Sequence, residues 1–307
     1  MIALTCPGQG AQVAGFLTPW LELDSFKLEI EKYSDILEMD LVHFGTEADA
    51  DQIKDTKIAQ PLIVAASLAS HVALLQALKD ETRFSGVAGH SVGEITAAGI
   101  AGILDTEAAL KFVKARGEQM AQAASLEASS MAAVVGGEQE LVLDHLSKMG
   151  LFAANYNGKG QIVAAGSSTK IQELLANPPA GSRVVGLAVA GAFHTSFMES
   201  AKVALTSLAS SINTENPELL IWSNSDGARV DSGEKFLELL INQVSKPVRW
   251  DMTMDSMVSG GVTAVLELLP GGTLTGIARR AMPGVATLAL KSPEDISKAV
   301  AFVGEQV

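Results

Sequence analysis

Gly89-His90-Ser91-Val92-Gly93 stands between a short apolar run, Phe84-Ser85-Gly86-Val87-Ala88, and a helix-like stretch, Glu94-Ile95-Thr96-Ala97-Ala98. G-x-S-x-G between a strand and a helix is the nucleophile-elbow pattern. The turn is so tight that only glycine fits on either side of the serine. It lifts the hydroxyl clear of the sheet and aims the next backbone N–H, that of Val92, at whatever the hydroxyl attacks. The helix N-terminus adds its positive end at the spot where an oxyanion would form. The five residues alone are ordinary loop composition; their strand-turn-helix setting is what points to a nucleophile on an α/β sheet.

Outward from the elbow, strand and helix alternate. Ile2–Cys6 reads as a strand, Ala59–Leu78 as a helix, and a further helix runs from about Asp105 to Ala124. Alternation of this kind indicates a parallel α/β sheet. Beyond the small-residue link at 125–130 the rhythm changes. Met131–Val135 reads as a strand, Glu138–Met149 as a helix, Phe152–Asn155 and Gln161–Ala165 as two strands, Ser168–Ala176 as a helix and Arg183–Val189 as a strand. That βαββαβ order is the ferredoxin-like split unit. The α/β reading resumes with a helix after Ser196, where Glu199 completes a capping box. Strands follow near Leu219–Trp222 and Val262–Leu268, then the loop Pro270–Thr273, and a last helix with Ser292 as N-cap and Pro293 at its first position. The expected architecture is an α/β-hydrolase-like core, 1–126 and 191–307, with a parallel sheet, interrupted by a ferredoxin-like small domain at 127–190. A ligand cleft belongs between the two.

Composition narrows the function classes. With 48% apolar and 19% charged residues, a large core is available and disorder is not expected. A net charge of -13 argues against a nucleic-acid binder, which needs a basic footprint. Cys6 is the only cysteine, so no intramolecular disulfide forms, which fits a reducing compartment. No basic, cleavable leader precedes the first strand. The most apolar window, Pro61–Leu78, carries Ser67, Ser70, His71 and Gln76 and reads as a buried helix, not a membrane span. These features predict a soluble cytoplasmic protein.

A serine nucleophile needs a base. His43, His71 and His145 fall in helical patterns, and His90 adjoins Ser91 but should point elsewhere. His194 ends the loop Ala190-Gly-Ala-Phe-His194 at the C-terminal end of a strand, where open α/β sheets place their sites. A structural role in that loop is the competing reading. No carboxylate is marked by context as a third triad member. Ala109, Val113, Arg116 and Met120 share one helical face, which sets an arginine in the middle of an inward apolar stripe. A buried arginine needs a partner. One reading supplies an internal Asp or Glu, or lets the side chain snorkel to the rim; the other makes the partner a substrate carboxylate, gripped by the guanidinium fork. Pro7-Gly8-Gln9-Gly10 is either an ordinary turn or the source of a second oxyanion N–H, from Gln9. Spacing alone leaves these even.

Pro7-Gly8-Gln9-Gly10, Gly89–Glu94, Arg116-Gly117-x-x-Met120, Gly191-Ala192-Phe193-His194 and Gln243-x-x-x-Pro247-Val248-Arg249-Trp250 occur in that order. Together they resemble the malonyl-CoA:acyl carrier protein transacylases of bacterial type II fatty acid synthesis, and the resemblance runs from Ile2 to about Ser292. It implies Ser91 as acylated nucleophile, His194 as its base, and the backbone N–H groups of Gln9 and Val92 as oxyanion donors. It also implies that Arg116 binds the malonyl carboxylate, that Met120 and Phe193 line the substrate site, and that the backbone carbonyl of Gln243 orients the histidine. Phe193 resembles the malonyl-selective members, where methylmalonyl-selective relatives tend to carry serine. The implied partners are malonyl-CoA and acyl carrier protein, with no nucleic acid, membrane, metal or redox cofactor, and the enzyme is expected to be a monomer. Lys159, Arg183, Lys246, Arg279, Arg280 and Lys291 are candidate basic contacts for an acidic carrier. A serine thioesterase would share the elbow and His194 but has no reason to bury Arg116. A non-catalytic carrier-binding module would not need both Ser91 and His194. A domain cut from a multidomain synthase is disfavoured by how closely the ends abut the first strand and last helix.

Overall fold

The computed structural model describes residues 1–79 and 84–306. In chain order the elements are β1 (Ile2–Cys6), α1 (Asp24–Leu37), α2 (Leu41–Thr46), α3 (Thr56–Ala77), β2 (Gly86–Gly89), α4 (Gly93–Ile100) and α5 (Thr106–Leu126). Then come β3 (Ser129–Gly136), α6 (Gln139–Lys148), β4 (Phe152–Tyr156), β5 (Gln161–Ser167), α7 (Ser168–Ala176) and β6 (Ser182–Gly186). The last third holds α8 (Glu199–Ala209), β7 (Leu220–Trp222), α9 (Gly233–Gln243), α10 (Trp250–Ser259), β8 (Ala264–Glu267), α11 (Thr273–Ala281), β9 (Ala286–Ala289) and α12 (Asp295–Glu305).

Five strands form one parallel sheet in the order β7-β2-β1-β8-β9. Its strands are short and apolar on both faces, as a sheet covered on both sides requires. Leu4, Val87, Ile221 and Leu266 face one helical layer, while their neighbours Ala3, Ala88, Trp222 and Val265 face the other, with Trp250, Met254 and Ile277. Helix α3 has the length and apolarity of a membrane span, yet most of it is buried beneath α1, α4, α5 and α12.

The other four strands form an antiparallel sheet in the order β4-β5-β3-β6. Period-two alternation divides its faces. Ala132, Val134, Ile162 and Ala164 pack a separate small core with Val142, Leu146, Ile171 and Leu174 of α6 and α7. Met131, Ala133 and Val163 point the other way, into a cleft facing the parallel sheet. Val248 stitches the two sheets together, accepting from the Tyr156 N–H at 2.9 Å and donating to the Ala154 carbonyl at 2.9 Å.

Three local expectations are corrected. The strand expected over Arg183–Val189 ends at Gly186, and Leu187 and Val189 instead line the cleft. Thr195, not Ser196, caps the next helix: its hydroxyl oxygen accepts from the Phe197 N–H at 3.3 Å. Ser196–Met198 is a 3₁₀ turn and α8 begins at Glu199, so no capping box closes. At the C-terminal helix Ser292 and Pro293 lie in a preceding turn. The Asp295 carboxylate takes the Lys291 and Ser292 N–H groups, at 2.9 and 3.1 Å, and α12 starts there.

Candidate active site

The C-terminal ends of the parallel strands carry the site. β1 runs into Pro7-Gly8-Gln9, β2 into Ser91, and β7 into Asn224. Ser91 sits at the tip of the elbow with φ 53°, in the left-handed region. A Cβ at Gly89 would collide with the Gly93 backbone, and one at Gly93 with the Cys6 carbonyl, so both positions demand glycine. Asn224 holds the strained turn. Its Oδ1 accepts from the Ser91 N–H at 2.8 Å and its Nδ2 donates to the Gly89 carbonyl at 2.8 Å.

His194 reaches this point from the chain that returns from the small sheet, also at positive φ, 63°. Its backbone N–H donates to the Val244 carbonyl at 3.0 Å. Nδ1 lies 2.8 Å from the Gln243 carbonyl oxygen and Nε2 lies 2.7 Å from Ser91 Oγ. A carbonyl can only accept, so Nδ1 carries the proton and Nε2 presents its lone pair to the serine hydroxyl. Burial and the nearby Arg116 charge push the imidazole down to about 3, which keeps it neutral and able to take a proton. No carboxylate touches His194 among the described contacts; a backbone carbonyl does the orienting.

His90 points away from the serine. Its Nε2 is 2.9 Å from Asn157 Oδ1 on the β4–β5 turn, and its ring packs edge-on against Trp250. His43 and His145 lie outside the site, with contacts to Glu47 and the Asn177 carbonyl.

Arg116 is 1% exposed and lies beneath the cleft floor. Gly117 lets α5 approach α3 closely enough for this, since a Cβ there would sit 2.9 Å from the Thr56 carbonyl oxygen. Nη1 donates to Gln60 Oε1 at 2.7 Å, and Nη2 to Gln243 Oε1 at 2.8 Å and Ser91 Oγ at 3.4 Å. All three acceptors are neutral. Neither the internal ion pair nor snorkelling to the rim describes this arginine. Burial lowers its guanidinium to about 10, against the pull of Glu94, so it stays charged.

Glu94, in the first turn of α4, is the nearest acid and is 1% exposed. Its carboxylate accepts from the Asn224 backbone N–H at 2.6 Å and from Gln243 Nε2. Burial pushes it up, opposed first by the Asn224 N–H and then by Arg116, and both of its oxygens accept N–H groups. Gln243 Nε2 also donates to the Ser91 carbonyl at 3.2 Å.

The cleft above encloses about 230 Å³ and is lined by Gln9, Ser91, Met120, Phe193 and His194 among others. The Gln9 side chain is turned aside, its Nε2 donating to the Lys54 carbonyl at 3.2 Å. Among the described residues, the backbone N–H groups of Gln9 and Val92 donate to no protein acceptor. They are therefore available to a negative oxygen forming beside Ser91.

Every site residue expected from sequence thus gathers around this cleft. Four contributors were not legible as such. In the sequence Gln60 is one polar residue in an apolar helix, Gln243 is implied only for its backbone, Glu94 figures only as the end of the elbow motif, and Asn224 is unmarked. Glu94 carries a signal, an acid at the head of the buried stretch Ile95–Ala98. Asn224 comes from a remote strand end and has none.

The arrangement can carry out acyl transfer: a hydroxyl, a neutral imidazole to take its proton, two free N–H groups and a buried cation 3.4 Å from the hydroxyl. Comparisons with known proteins agree. The acyl transferase domain family matches residues 4–300. The malonyl CoA-acyl carrier protein transacylase of Mycobacterium bovis is 43% identical over 298 residues, covering 97% of this chain and 99% of its own. That of Bacillus subtilis is 30% identical over 99% of this chain and 98% of its own. The crystal structure of MCAT from Mycobacterium tuberculosis superposes with a TM-score of 0.93 at 43% identity, over 98% of this chain and 99% of that one. A malonyl-transacylase solved in complex with a type II polyketide acyl-carrier protein superposes at 0.90, with 26% identity over 98% of this chain and 99% of that one. The chain belongs to the acyltransferase family and, within it, to the malonyl-CoA:acyl carrier protein transacylases.

Proposed function

We propose that this chain transfers the malonyl group of malonyl-CoA to the phosphopantetheine thiol of acyl carrier protein by a ping-pong route through a malonyl ester on Ser91. Nε2 of His194 takes the Ser91 proton as Oγ attacks the thioester carbonyl, and the Gln243 carbonyl stabilises the imidazolium through Nδ1–H. The developing oxyanion is held by the N–H groups of Gln9 and Val92. Collapse expels the CoA thiolate, which receives the proton from His194. The carrier thiol then gives its proton to His194, attacks the same carbonyl and expels Ser91 Oγ, which takes the proton back from His194. Met120 and Phe193 supply apolar walls for the malonyl methylene. The enzyme acts as a cytoplasmic monomer, with the division at 127–190 as a small domain supported by its separate core.

Arg116 binds the substrate carboxylate. The observation that carries this assignment is a buried guanidinium held only by neutral oxygens, 3.4 Å from the nucleophile. An ester on Ser91 brings a carboxylate two carbons away within reach of that fork. Arg116→Ala removes a charge-assisted contact worth about 1.5–3 kcal/mol, so kcat/KM for malonyl-CoA should fall roughly 10- to 100-fold. Acetyl-CoA has no carboxylate to lose and should hold or gain. Equal losses for both thioesters would make Arg116 structural.

A further inference from the structure

Beneath the nucleophile lies a line of polar groups that the transfer reaction does not itself explain. Glu94 and Arg116 are both 1% exposed, and the Asn224 and Gln243 N–H groups donate to both Glu94 oxygens, as to a carboxylate; the side-chain amide of Gln243 stands between it and the guanidinium. Its Nε2 donates to the Glu94 carboxylate and its Oε1 accepts from Arg116 Nη2 at 2.8 Å. The reverse amide orientation would set oxygen against carboxylate and N–H against guanidinium, so the charge order fixes how Gln243 points.

We propose that Glu94 is a positioning residue for malonyl selectivity: it balances Arg116 at one remove, through Gln243, and so leaves the guanidinium charge for the substrate carboxylate. This rests on the reading that Arg116 binds that carboxylate. Two demands conflict at this site. A buried guanidinium needs a compensating charge, but an acid paired directly with it would occupy the fork that the substrate must use. Interposing a neutral amide meets both. The acid is itself anchored so that it cannot close the gap: the Asn224 backbone N–H holds Oε1 at 2.6 Å, and the start of α4 favours its negative charge. Gln60 grips Nη1 from the other side at 2.7 Å, again with a neutral oxygen. Asn224 divides its duties, with its backbone holding Glu94 and its side chain holding the elbow.

The test is kcat/KM for malonyl-CoA and acetyl-CoA in Glu94→Gln, Glu94→Asp and Gln243→Ala, beside Arg116→Ala, with thermal unfolding of each. A glutamine at 94 puts an amide against the Gln243 amide, forces the latter to turn, and sets N–H groups against the guanidinium. The malonyl value should fall roughly 10- to 100-fold, the acetyl value far less, with partial recovery in Glu94→Asp. A merely structural role would slow both thioesters alike, and that result overturns the proposal. So does a wild-type malonyl-to-acetyl ratio in Glu94→Gln. Should Glu94→Gln fail to fold, Gln243→Ala is read instead. Its main-chain carbonyl still holds His194, and it should show the same malonyl-selective loss; equal losses overturn the proposal. If Arg116→Ala leaves the ratio unchanged, the reading of Arg116 fails. If it lowers the ratio while the relay variants do not, only the role of Glu94 fails.

Discussion

Ser91 and His194 both hold φ in the left-handed region, at 53° and 63°. For residues with a Cβ this costs about 1–3 kcal/mol each and persists only where the surroundings impose it. The Asn224 side chain imposes it on the serine, and the Val244 carbonyl on the histidine. In return Oγ and Nε2 meet at 2.7 Å although the residues are 103 positions apart. His194→Ala should therefore slow acylation by roughly 10²- to 10⁴-fold, the usual worth of a positioned base, while His90→Ala should not. Single-turnover acylation by malonyl-CoA reads this, and the reverse pattern would exchange the two histidines. The serine was legible because its elbow is written in five consecutive residues. The histidine was legible as a loop residue at a strand end, and its assignment leaned on resemblance. Glu94, Asn224 and the Gln243 side chain were not, since they meet only through the tertiary fold.

The elements show the same division between local and remote information. Strong periodicity gave α3, α5 and the βαββαβ run to within a few residues. Helix α1 was passed over although Phe26, Ile30, Tyr33 and Leu37 mark a buried face at helical spacing. Strand β9 is four half-buried residues at the sheet edge, too short and too neutral to announce itself. Neither serine that looks like a cap serves as one: Thr195 takes the Phe197 N–H, and α12 begins at Asp295, whose carboxylate gathers the Lys291 and Ser292 N–H groups of the preceding turn. Contact between α3 and α5 is what places Arg116, and Gly117 makes that contact possible. Gly117→Ala would gain about 1 kcal/mol of helix propensity but meets a carbonyl oxygen and the Lys57 Cα, an overpacking that costs about 1–3 kcal/mol. Stability should change little. The shift of Arg116 and Gln60 is the larger effect, since a 1 Å misplacement in an active site can cost about 10²-fold. Malonyl kcat/KM should thus fall well beyond the change in Tm. A raised Tm with unaltered malonyl transfer would show that the helices relax without moving the site.

At the scale of the whole molecule, two sheets with separate cores close on one cleft, and folding buries ionisable groups there and along α3. Burial lowers His194 to about 3 and His71 to about 4, and also lowers His90. Their unfolded counterparts titrate near 6.5, so below that pH the unfolded chain binds more protons. The stability they contribute is complete above about pH 6.5 and is lost as pH falls toward the folded values. Glu94, raised by burial, works in the opposite direction, one proton against the two of His194 and His71, with His90 adding to theirs. A net proton at about 1.4 kcal/mol per pH unit gives a loss of at least about 1 kcal/mol per unit below pH 6.5, and more as His90 contributes. Denaturant unfolding between pH 7 and 5, above the range of ordinary carboxylates, checks this; a flat profile would show that these imidazoles are open to water. The central claim concerns chemistry in the cleft, and intact mass spectrometry tests it most directly. After brief exposure to malonyl-CoA, the wild-type protein should gain one malonyl group on Ser91, lose it on addition of acyl carrier protein, and pass it to the carrier. Ser91→Ala, with the same fold, should gain none. Free malonate with unmodified carrier would contradict transfer in favour of hydrolysis, and an adduct on Ser91→Ala would contradict the nucleophile itself.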